Sequence, residues 1–164
     1  DLFNPYALSK FLGEELCLFY NNKNYVESNV LRYFNVYGDR QPTSGIYALV
    51  IGIFLDRKKK GIPLMIFGDG NQKRDFIHID DVIKANYKVL NTKKSGEIYN
   101  VGFGKNFSIN VLAKLISKKI KYTKKRKGEP KETLANINKL KKLNWKPQIS
   151  LKEGVKRLLK KSII

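Results

Sequence analysis

Helical and extended segments alternate along this chain of 164 residues, and that alternation constrains its fold more than any other feature. Residues 5–22 place large apolar side chains at helical spacing, namely Leu8, Leu12, Leu16 and Phe19. Residues 29–36 form a short, nearly continuous apolar run. Such a run is typical of a strand buried on both faces of a parallel sheet, so the sequence predicts an α/β fold.

The rest of the chain continues this pattern. Strands are predicted at 64–67, 76–79 and 98–101, and within 118–127 with an end near Arg126. Helices are predicted at 46–60, from Asp80–Asp81 to about Leu90, after Ser108, at 136–143 and at 151–159. The two aspartates and the serine are expected to cap the helices that they precede.

The net charge of +19 raises the question of nucleic-acid binding. Residues 1–82 hold 10 basic and 10 acidic residues, whereas residues 83–164 hold 23 and 4. The excess is mostly lysine, with 27 Lys against 6 Arg, while a phosphate-reading surface is expected to use more arginine. We therefore expect no specific nucleic-acid partner, and only nonspecific binding to polyanions at low salt.

Cysteine and histidine each occur once, as Cys17 and His78, which excludes an intramolecular disulfide and argues against a metal centre. We expect Cys17 to be an inert apolar residue and His78 to be packed or hydrogen-bonded. No apolar run reaches the ~20 residues of a membrane span and no leader is visible, so we expect a cytoplasmic protein without a membrane partner. Because the chain begins with Asp1 and has only Met65 as methionine, we expect a fragment or a processed product.

The strongest local signal for chemistry is a tyrosine and a lysine four residues apart, Tyr6 and Lys10. On a helix these positions share one face, with Cβ atoms about 5–6 Å apart. A lysine ammonium there favours the tyrosinate form, and such a tyrosine takes a proton from an alcohol near neutral pH. The pair indicates a catalytic base for alcohol oxidation, although the same spacing also occurs by chance.

Several motifs surround this pair. Residues 4–10 read Asn-Pro-Tyr-Ala-Leu-Ser-Lys, residues 32–38 read Arg-Tyr-Phe-Asn-Val-Tyr-Gly, and residues 68–82 contain Gly-Asp-Gly-Asn-Gln-Lys-Arg-Asp-Phe. Further stretches follow in order at 98–102, 126–130 and 143–147. Together they resemble the extended short-chain dehydrogenase/reductase family, in particular the NAD-dependent nucleotide-sugar 4-epimerases. The resemblance covers essentially the whole chain.

The resemblance implies a catalytic centre that works with NAD. Tyr6 is expected to be the general base, and Lys10 to hold the nicotinamide ribose and tune the tyrosine. Tyr33 and Phe34 are expected beside the nicotinamide, with core packing as the alternative. Asn35 is expected to hydrogen-bond the substrate, with a strand-end cap as the alternative.

The resemblance also implies a nucleotide site. Arg74 is expected to bind the diphosphate, and Arg126 and Glu129 to contact the diphosphate and the nucleotide ribose. The alternative for an arginine is a salt bridge, for example between Arg74 and Asp75 or Asp80. Five further residues resemble segments that line a uracil pocket, with core packing as the alternative: Leu49, Val50, Met65, Ile66 and Phe67.

For the fold, the resemblance implies the C-terminal part of a Rossmann-type doubly wound sheet plus a smaller α/β substrate-binding domain. Residues 1–45 are expected to complete the NAD-binding domain, and residues 46–164 to form mainly the nucleotide-sugar-binding domain, with some segments returning to the sheet. The glycine-rich turn that receives the NAD pyrophosphate would precede Asp1, and Gly102-Phe-Gly104 lacks the third glycine needed to replace it. We therefore expect the chain alone to be inactive and not to hold NAD.

The function that follows from the resemblance is NAD-dependent epimerisation at C4 of a UDP-sugar through a transient 4-keto intermediate. The substrate is expected to be UDP-glucose/UDP-galactose or their N-acetyl forms, and the full-length protein a homodimer. Two alternatives stay open: a nucleotide-sugar 4,6-dehydratase, and a noncatalytic remnant that binds nucleotides or polyanions.

Overall fold

The computed structural model describes residues 5–45, 48–126 and 128–161. The helices in these ranges are α1 (Pro5–Asn22), α2 (Val50–Lys59), α3 (Ile79–Leu90), α4 (Ile109–Ile116), α5 (Asn138–Lys141) and α6 (Leu151–Lys161). The strands are β1 (Val30–Tyr33), β2 (Asn35–Tyr37), β3 (Leu64–Phe67), β4 (Lys73–His78), β5 (Ile98–Val101), β6 (Asn106–Ser108) and β7 (Ile120–Thr123). Within the described ranges, no helix is long and apolar enough to cross a membrane.

Most of the predicted elements are present with small shifts in their ends. The helix at 5–22 and the strands at 64–67 and 98–101 have the predicted bounds. The strand predicted at 29–36 is divided into β1 and β2, because its pairing partner changes from β5 to β4 at Phe34, whose N–H still donates to the Val101 carbonyl at 3.0 Å. The helix predicted at 46–60 begins at Val50, and positions 46 and 47 lie outside the described residues.

Other expectations were wrong in detail. The strand predicted to end near Arg126 already ends at Thr123, the helix predicted at 136–143 spans only α5, and β6 was not predicted at all. The Asp80–Asp81 pair does not cap α3; the cap is His78, whose Nδ1 accepts from the Asp80 N–H at 3.2 Å. The Ser108 cap of α4 is confirmed by its Oγ accepting from the Val111 N–H.

The strands form three small sheets. Strands β1 and β5 pair in parallel, as do β3 and β7. The third sheet has the order β2-β4-β6, with β2 parallel and β6 antiparallel to β4. Parallel pairs joined through helices are the pattern that defines an α/β fold, so the α/β class predicted from the sequence is confirmed.

Strand β4 separates two hydrophobic cores, because its side chains alternate between the two faces. Phe76 packs into the first core, which lies among α2, α4, α6 and β3. Ile77 packs into the second core, which lies among α3, β5 and residues 135–145. Helix α6 runs so close to the first core that a Cβ at Gly154 would lie 2.2 Å from the Tyr37 hydroxyl. Strand β4 is therefore packed against a hydrophobic core on each of its two faces.

Helix α1 differs from the other long helices because its apolar stripe is not buried. Leu8, Leu12, Leu16 and Phe19 are 46–58 % exposed. Cys17, expected to be an inert apolar residue, is also exposed. The helical spacing predicted the element correctly, whereas the burial that such a stripe normally indicates is absent within the described residues.

Candidate active site

Helix α1 presents the predicted tyrosine and lysine side by side. The Lys10 Nζ lies 5.4 Å from the centroid of the Tyr6 ring, as expected for positions one helical turn apart. Both residues line a groove of about 920 Å³ between α1 and β1, and Tyr33 lies at its strand side. The structure therefore brings together Tyr6, Lys10 and Tyr33, three of the residues assigned to the catalytic centre.

Phe34 is not part of this groove. Its ring is partly buried and packs against the second core, in agreement with the alternative stated for it. Tyr33, in contrast, is 50 % exposed, and its hydroxyl donates to Asn86 Oδ1 on α3 at 2.8 Å. The two neighbouring aromatic residues thus occupy opposite sides of the strand.

An ion pair joins α1 to β1. The Arg32 Nε donates to Glu14 Oε2 at 2.7 Å, and the Arg32 Nη2 donates to Glu14 Oε1. The hydrogen bond to Glu14 raises the pKa of Arg32 above its ordinary value. This contact was not anticipated, although Glu14 follows Lys10 by four residues and so continues the Tyr6–Lys10 spacing along α1.

Asn35 is held at the start of β2. Its Nδ2 donates to the Asp75 carbonyl at 2.9 Å and lies 3.5 Å from Thr133 Oγ1. The amide nitrogen is thus engaged with the protein, and these contacts fix the direction of the Asn35 side chain. Thr133 was not singled out from the sequence, because no motif contains it.

Asp75, next to this asparagine, has a fully buried carboxylate. The carboxylate accepts from the backbone N–H groups of Phe103, Gly104 and Ala135 at 2.6–3.1 Å. Burial raises the pKa of the Asp75 carboxyl, and these three donors act in the opposite direction. The carboxylate therefore ties two loops to β4, and Asp75 does not pair with Arg74.

The residues assigned to the nucleotide site lie in two contacting pairs. Arg74, with a side chain only 11 % exposed, donates from Nη2 to Glu129 Oε1 at 2.9 Å. The Arg126 guanidinium carbon lies 3.8 Å from the centroid of the Phe67 ring, a cation–π contact. The predicted salt bridge of Arg74 exists, but its partner is Glu129 rather than Asp75 or Asp80.

A small cavity of about 200 Å³ lies beside these pairs. Phe67, Gln72 and Glu129 line it, together with Lys125 and Lys131. The turn at residues 68–71 contributes Gly68, Asp69 and Asn71 to the lining, and it requires Gly70, because the φ of Gly70 is +74° and an added Cβ would lie 2.1 Å from Asn110 Oδ1. The charged residues of its lining are two lysines and two carboxylates, Asp69 and Glu129, and Phe67 supplies an aromatic wall.

The other residues expected at a uracil pocket are distributed over two environments. Ile66 is fully buried in the first core, whereas Met65 and Phe67 point to the opposite face of β3 and are partly exposed. Val50 packs against the first core, and Leu49 just before it is 43 % exposed. Core packing is therefore the observed role of Ile66 and Val50.

His78 has the structural role expected of it. Besides capping α3, its ring lies edge-to-face against Tyr37 at 5.3 Å between centroids. Burial lowers the pKa of His78, which keeps the imidazole neutral and its Nδ1 free to accept the capping hydrogen bond.

The comparisons identify the class of protein: with its α/β fold, the chain is a member of the short-chain dehydrogenase/reductase class. The model of the NAD dependent epimerase/dehydratase family matches residues 2–102, and the chain belongs to that family.

Several of the similar proteins are named for a UDP-sugar. A putative UDP-glucose 4-epimerase of Methanocaldococcus jannaschii is 46 % identical over 95 % of this chain and 52 % of its own length. The structure of UDP-glucose 4-epimerase from Thermotoga maritima with UDP-glucose matches with a TM-score of 0.89 and 35 % identity, over 98 % of this chain and 54 % of that one.

The structure of UDP-glucuronic acid 4-epimerase from Bacillus cereus with UDP-glucuronic acid and NAD matches with a TM-score of 0.87 and 34 % identity. The match covers 98 % of this chain and 52 % of that one. The chain is thus similar to UDP-sugar 4-epimerases and spans about half the length of the relatives it matches.

Proposed function

We propose that the complete gene product containing this chain is an NAD-dependent 4-epimerase of a UDP-sugar, and that the chain is its C-terminal half. The observation that carries the proposal is the placement of Tyr6 and Lys10 on one face of α1, opening into the groove along β1. The proposal includes a Rossmann sheet completed by residues 1–45, a nucleotide-sugar domain formed mainly by residues 46–164, a cytoplasmic location and a homodimer, in line with the family resemblance.

Tyr6 is the proton acceptor in this proposal. Its phenol oxygen accepts the proton of the sugar 4-hydroxyl as a general base, and the Lys10 ammonium lies on the same face of α1. When NAD is bound it supplies the hydride acceptor, and later the donor, for C4, so that a transient 4-keto sugar connects the two epimers. Tyr6 then returns its proton to the 4-oxygen. Asn35 orients the substrate from the neighbouring strand.

The residues present fit the nicotinamide end of NAD. The groove offers the Lys10 ammonium and the Tyr6 hydroxyl as donors to ribose hydroxyl groups, and Tyr33 as an aromatic wall. A glycine-rich turn of the type that binds the pyrophosphate is not found in the sequence of this chain. We therefore expect calorimetric titration of residues 1–164 with NAD to show no micromolar binding, and micromolar binding would contradict this division of the site.

The nucleotide is held away from the reacting carbon. Arg74 and Arg126 bind diphosphate oxygens, and the Glu129 carboxylate accepts from ribose hydroxyl groups. A diphosphate that enters the site competes with Glu129 for the Arg74 guanidinium, because the two side chains are now hydrogen-bonded to each other. Holding the nucleotide firmly while the sugar turns allows both faces of C4 to be presented to the same centre.

The test compares two tyrosines of the same helix in the complete gene product. We expect Tyr6→Phe to lower kcat for C4 inversion by roughly 10²–10⁴-fold, the usual contribution of a general base. Tyr20→Phe removes a hydroxyl from the exposed side of α1 and is expected to keep the rate. The assay follows UDP-glucose, UDP-N-acetylglucosamine and UDP-glucuronic acid separately by chromatography.

Three outcomes would contradict the proposal. A Tyr6→Phe variant with the unchanged rate would remove Tyr6 from the mechanism. Loss of water from the sugar, instead of inversion at C4, would indicate the dehydratase alternative. Binding of UDP without turnover of any of the three sugars would indicate a noncatalytic nucleotide-binding protein.

A further inference from the structure

Glu14 stands out on α1 because it is buried where its neighbours are not. It is the one buried residue among positions 5–22, all of which the structure describes, and it is 8 % exposed. Leu12 and Leu16 on the same helix are more than half exposed. Burial of a carboxylate is unfavourable unless the group is paired and hydrogen-bonded. A buried carboxylate on a helix with exposed leucines indicates a specific contact of that carboxylate rather than general packing of the helix.

The contact is a two-pronged ion pair with Arg32. Two guanidinium nitrogens of Arg32 donate to the two oxygens of Glu14, so that both planar groups are fixed in relative orientation. Arg32 belongs to β1 and directly precedes Tyr33, which lines the groove. It is also three residues before Asn35. The pair therefore connects α1 to the strand that leads into the candidate site.

Because Glu14 lies on α1 with Tyr6 and Lys10, its contact with Arg32 affects where those two side chains lie. Glu14 is one turn beyond Lys10, which is one turn beyond Tyr6, so the three residues follow one side of the helix. A rotation of α1 by roughly 20° would move an atom 8 Å from the helix axis by about 3 Å. The apolar stripe is exposed and does not set this angle within the described ranges.

We propose that the Glu14–Arg32 pair sets the rotation of α1 against β1, which makes both side chains positioning residues for Tyr6 and Lys10. The consequence for the reaction rests on the proposed function, because it requires Tyr6 to be the base. The placement of α1 by the pair does not depend on that function. The two parts are therefore separable by experiment.

The test uses the complete gene product with Glu14→Gln and, separately, Arg32→Lys. Glu14→Gln keeps the shape of the side chain and removes its negative charge. Arg32→Lys keeps the positive charge and removes the two-pronged hydrogen bonding of the guanidinium. Glu153→Gln is the matched control, since Glu153 on α6 accepts from the Arg157 Nε at 3.0 Å. Each variant is measured for kcat, for KM of the UDP-sugar, for Kd of UDP, and for hydrogen exchange of α1 and α4.

We expect both variants to lower kcat by about 10²-fold, as a misplacement of about 1 Å does. KM and the Kd of UDP are expected to change less than about threefold, because Arg74 and Glu129 lie on other elements. Exchange of the α1 amides is expected to become faster while that of α4 stays as in the control.

Two results would overturn the proposal. One is kcat in both variants at the level of Glu153→Gln. The other is a parallel loss of kcat, UDP affinity and α4 protection, which would make the pair a general stabilising contact. If Tyr6→Phe retains full activity, the proposed function fails, and the exchange of α1 in Glu14→Gln still decides whether the pair holds the helix.

Discussion

The two parts of the candidate site are built in different ways. The nucleotide part, with Arg74 and Phe67, stands on strands that border the buried first core. The catalytic part, with Tyr6 and Lys10, stands on a helix whose apolar stripe is about half exposed and which meets β1 through the Glu14–Arg32 pair. One part stands on strands that pack against a buried core, and the other is joined to β1 by a directional contact between two charges.

This difference concerns how firmly the two groups of side chains are held in position. Packed interiors resist small displacements, so the residues proposed to bind the nucleotide are expected to keep their geometry in this chain. Helix α1 has an exposed apolar face, and a packing partner on that face would restrict its position further. For the proposed function, this difference predicts that turnover is more sensitive than UDP binding to changes at α1.

The largest expected effect is on the free energy of unfolding, when leucine is replaced by alanine once in each region. Leu112→Ala removes a fully buried side chain of α4, and we expect it to lower the free energy of unfolding by about 2–5 kcal/mol. Leu12→Ala on α1 is expected to change it by less than about 0.5 kcal/mol, because that side chain is 53 % exposed. Urea denaturation of residues 1–164 measures both values.

The control for this pair is the same Leu12→Ala substitution in the complete gene product. A cost there that is absent from residues 1–164 would show that another part of the protein covers the α1 stripe. Equal costs for Leu12→Ala and Leu112→Ala in residues 1–164 would contradict the comparison itself.

A smaller effect is expected from the nucleotide part. Arg74→Gln removes the guanidinium that faces Glu129, and we expect the affinity for UDP to fall about 10- to 100-fold, as for loss of a charged hydrogen bond. Arg157→Gln on α6 is the matched control and is expected to leave the affinity unchanged. Calorimetric titration of residues 1–164 with UDP measures both, and equal affinity in the two variants would remove Arg74 from the site.

The smallest effect concerns the pH dependence of stability. Burial lowers the pKa of His78 in the folded protein below its unfolded value near 6.5, so the unfolded state binds the proton more readily. The contribution of His78 to the free energy of unfolding is therefore fully present above pH 6.5 and is lost as the pH falls below 6.5. An asparagine side chain in place of the imidazole would still cap α3 without titrating.

His78→Asn is therefore expected to reduce the fall in Tm between pH 7 and pH 5 by a few degrees at most. Thermal unfolding followed by circular dichroism at both pH values is the measurement. If Tm falls more steeply in the variant than in the unsubstituted chain, protonation of His78 is not a cause of the loss of stability at acid pH.

The sequence was sufficient for the elements whose signals are local. The spacing along α1 and the short apolar runs of β3 and β5 predicted their bounds, because periodicity and turn residues are both present there. The cap of α3 was assigned to Asp80 and Asp81 by residue preference, and the histidine before them was overlooked because His is an uncommon cap.

The contacts that complete the candidate site could not be predicted from spacing. Glu129 and Arg74 are 55 residues apart, and their hydrogen bond depends on how the loop after β7 returns to β4. Glu14 and Arg32 are 18 residues apart and belong to different elements. A period of 3.6 or 2 residues describes one element at a time, so pairs formed between elements leave no such signal.

Asp75 joins several segments through a single residue. Its carbonyl receives the Asn35 amide, while its carboxylate receives three backbone N–H groups from residues 103, 104 and 135. A Cβ at Gly102 would lie 2.9 Å from the same carboxylate, so the backbone there has little room to shift. Insertions or deletions at 102–104 and 133–135 are therefore expected to be disfavoured among homologues, and changes in loop length to accumulate elsewhere in the chain.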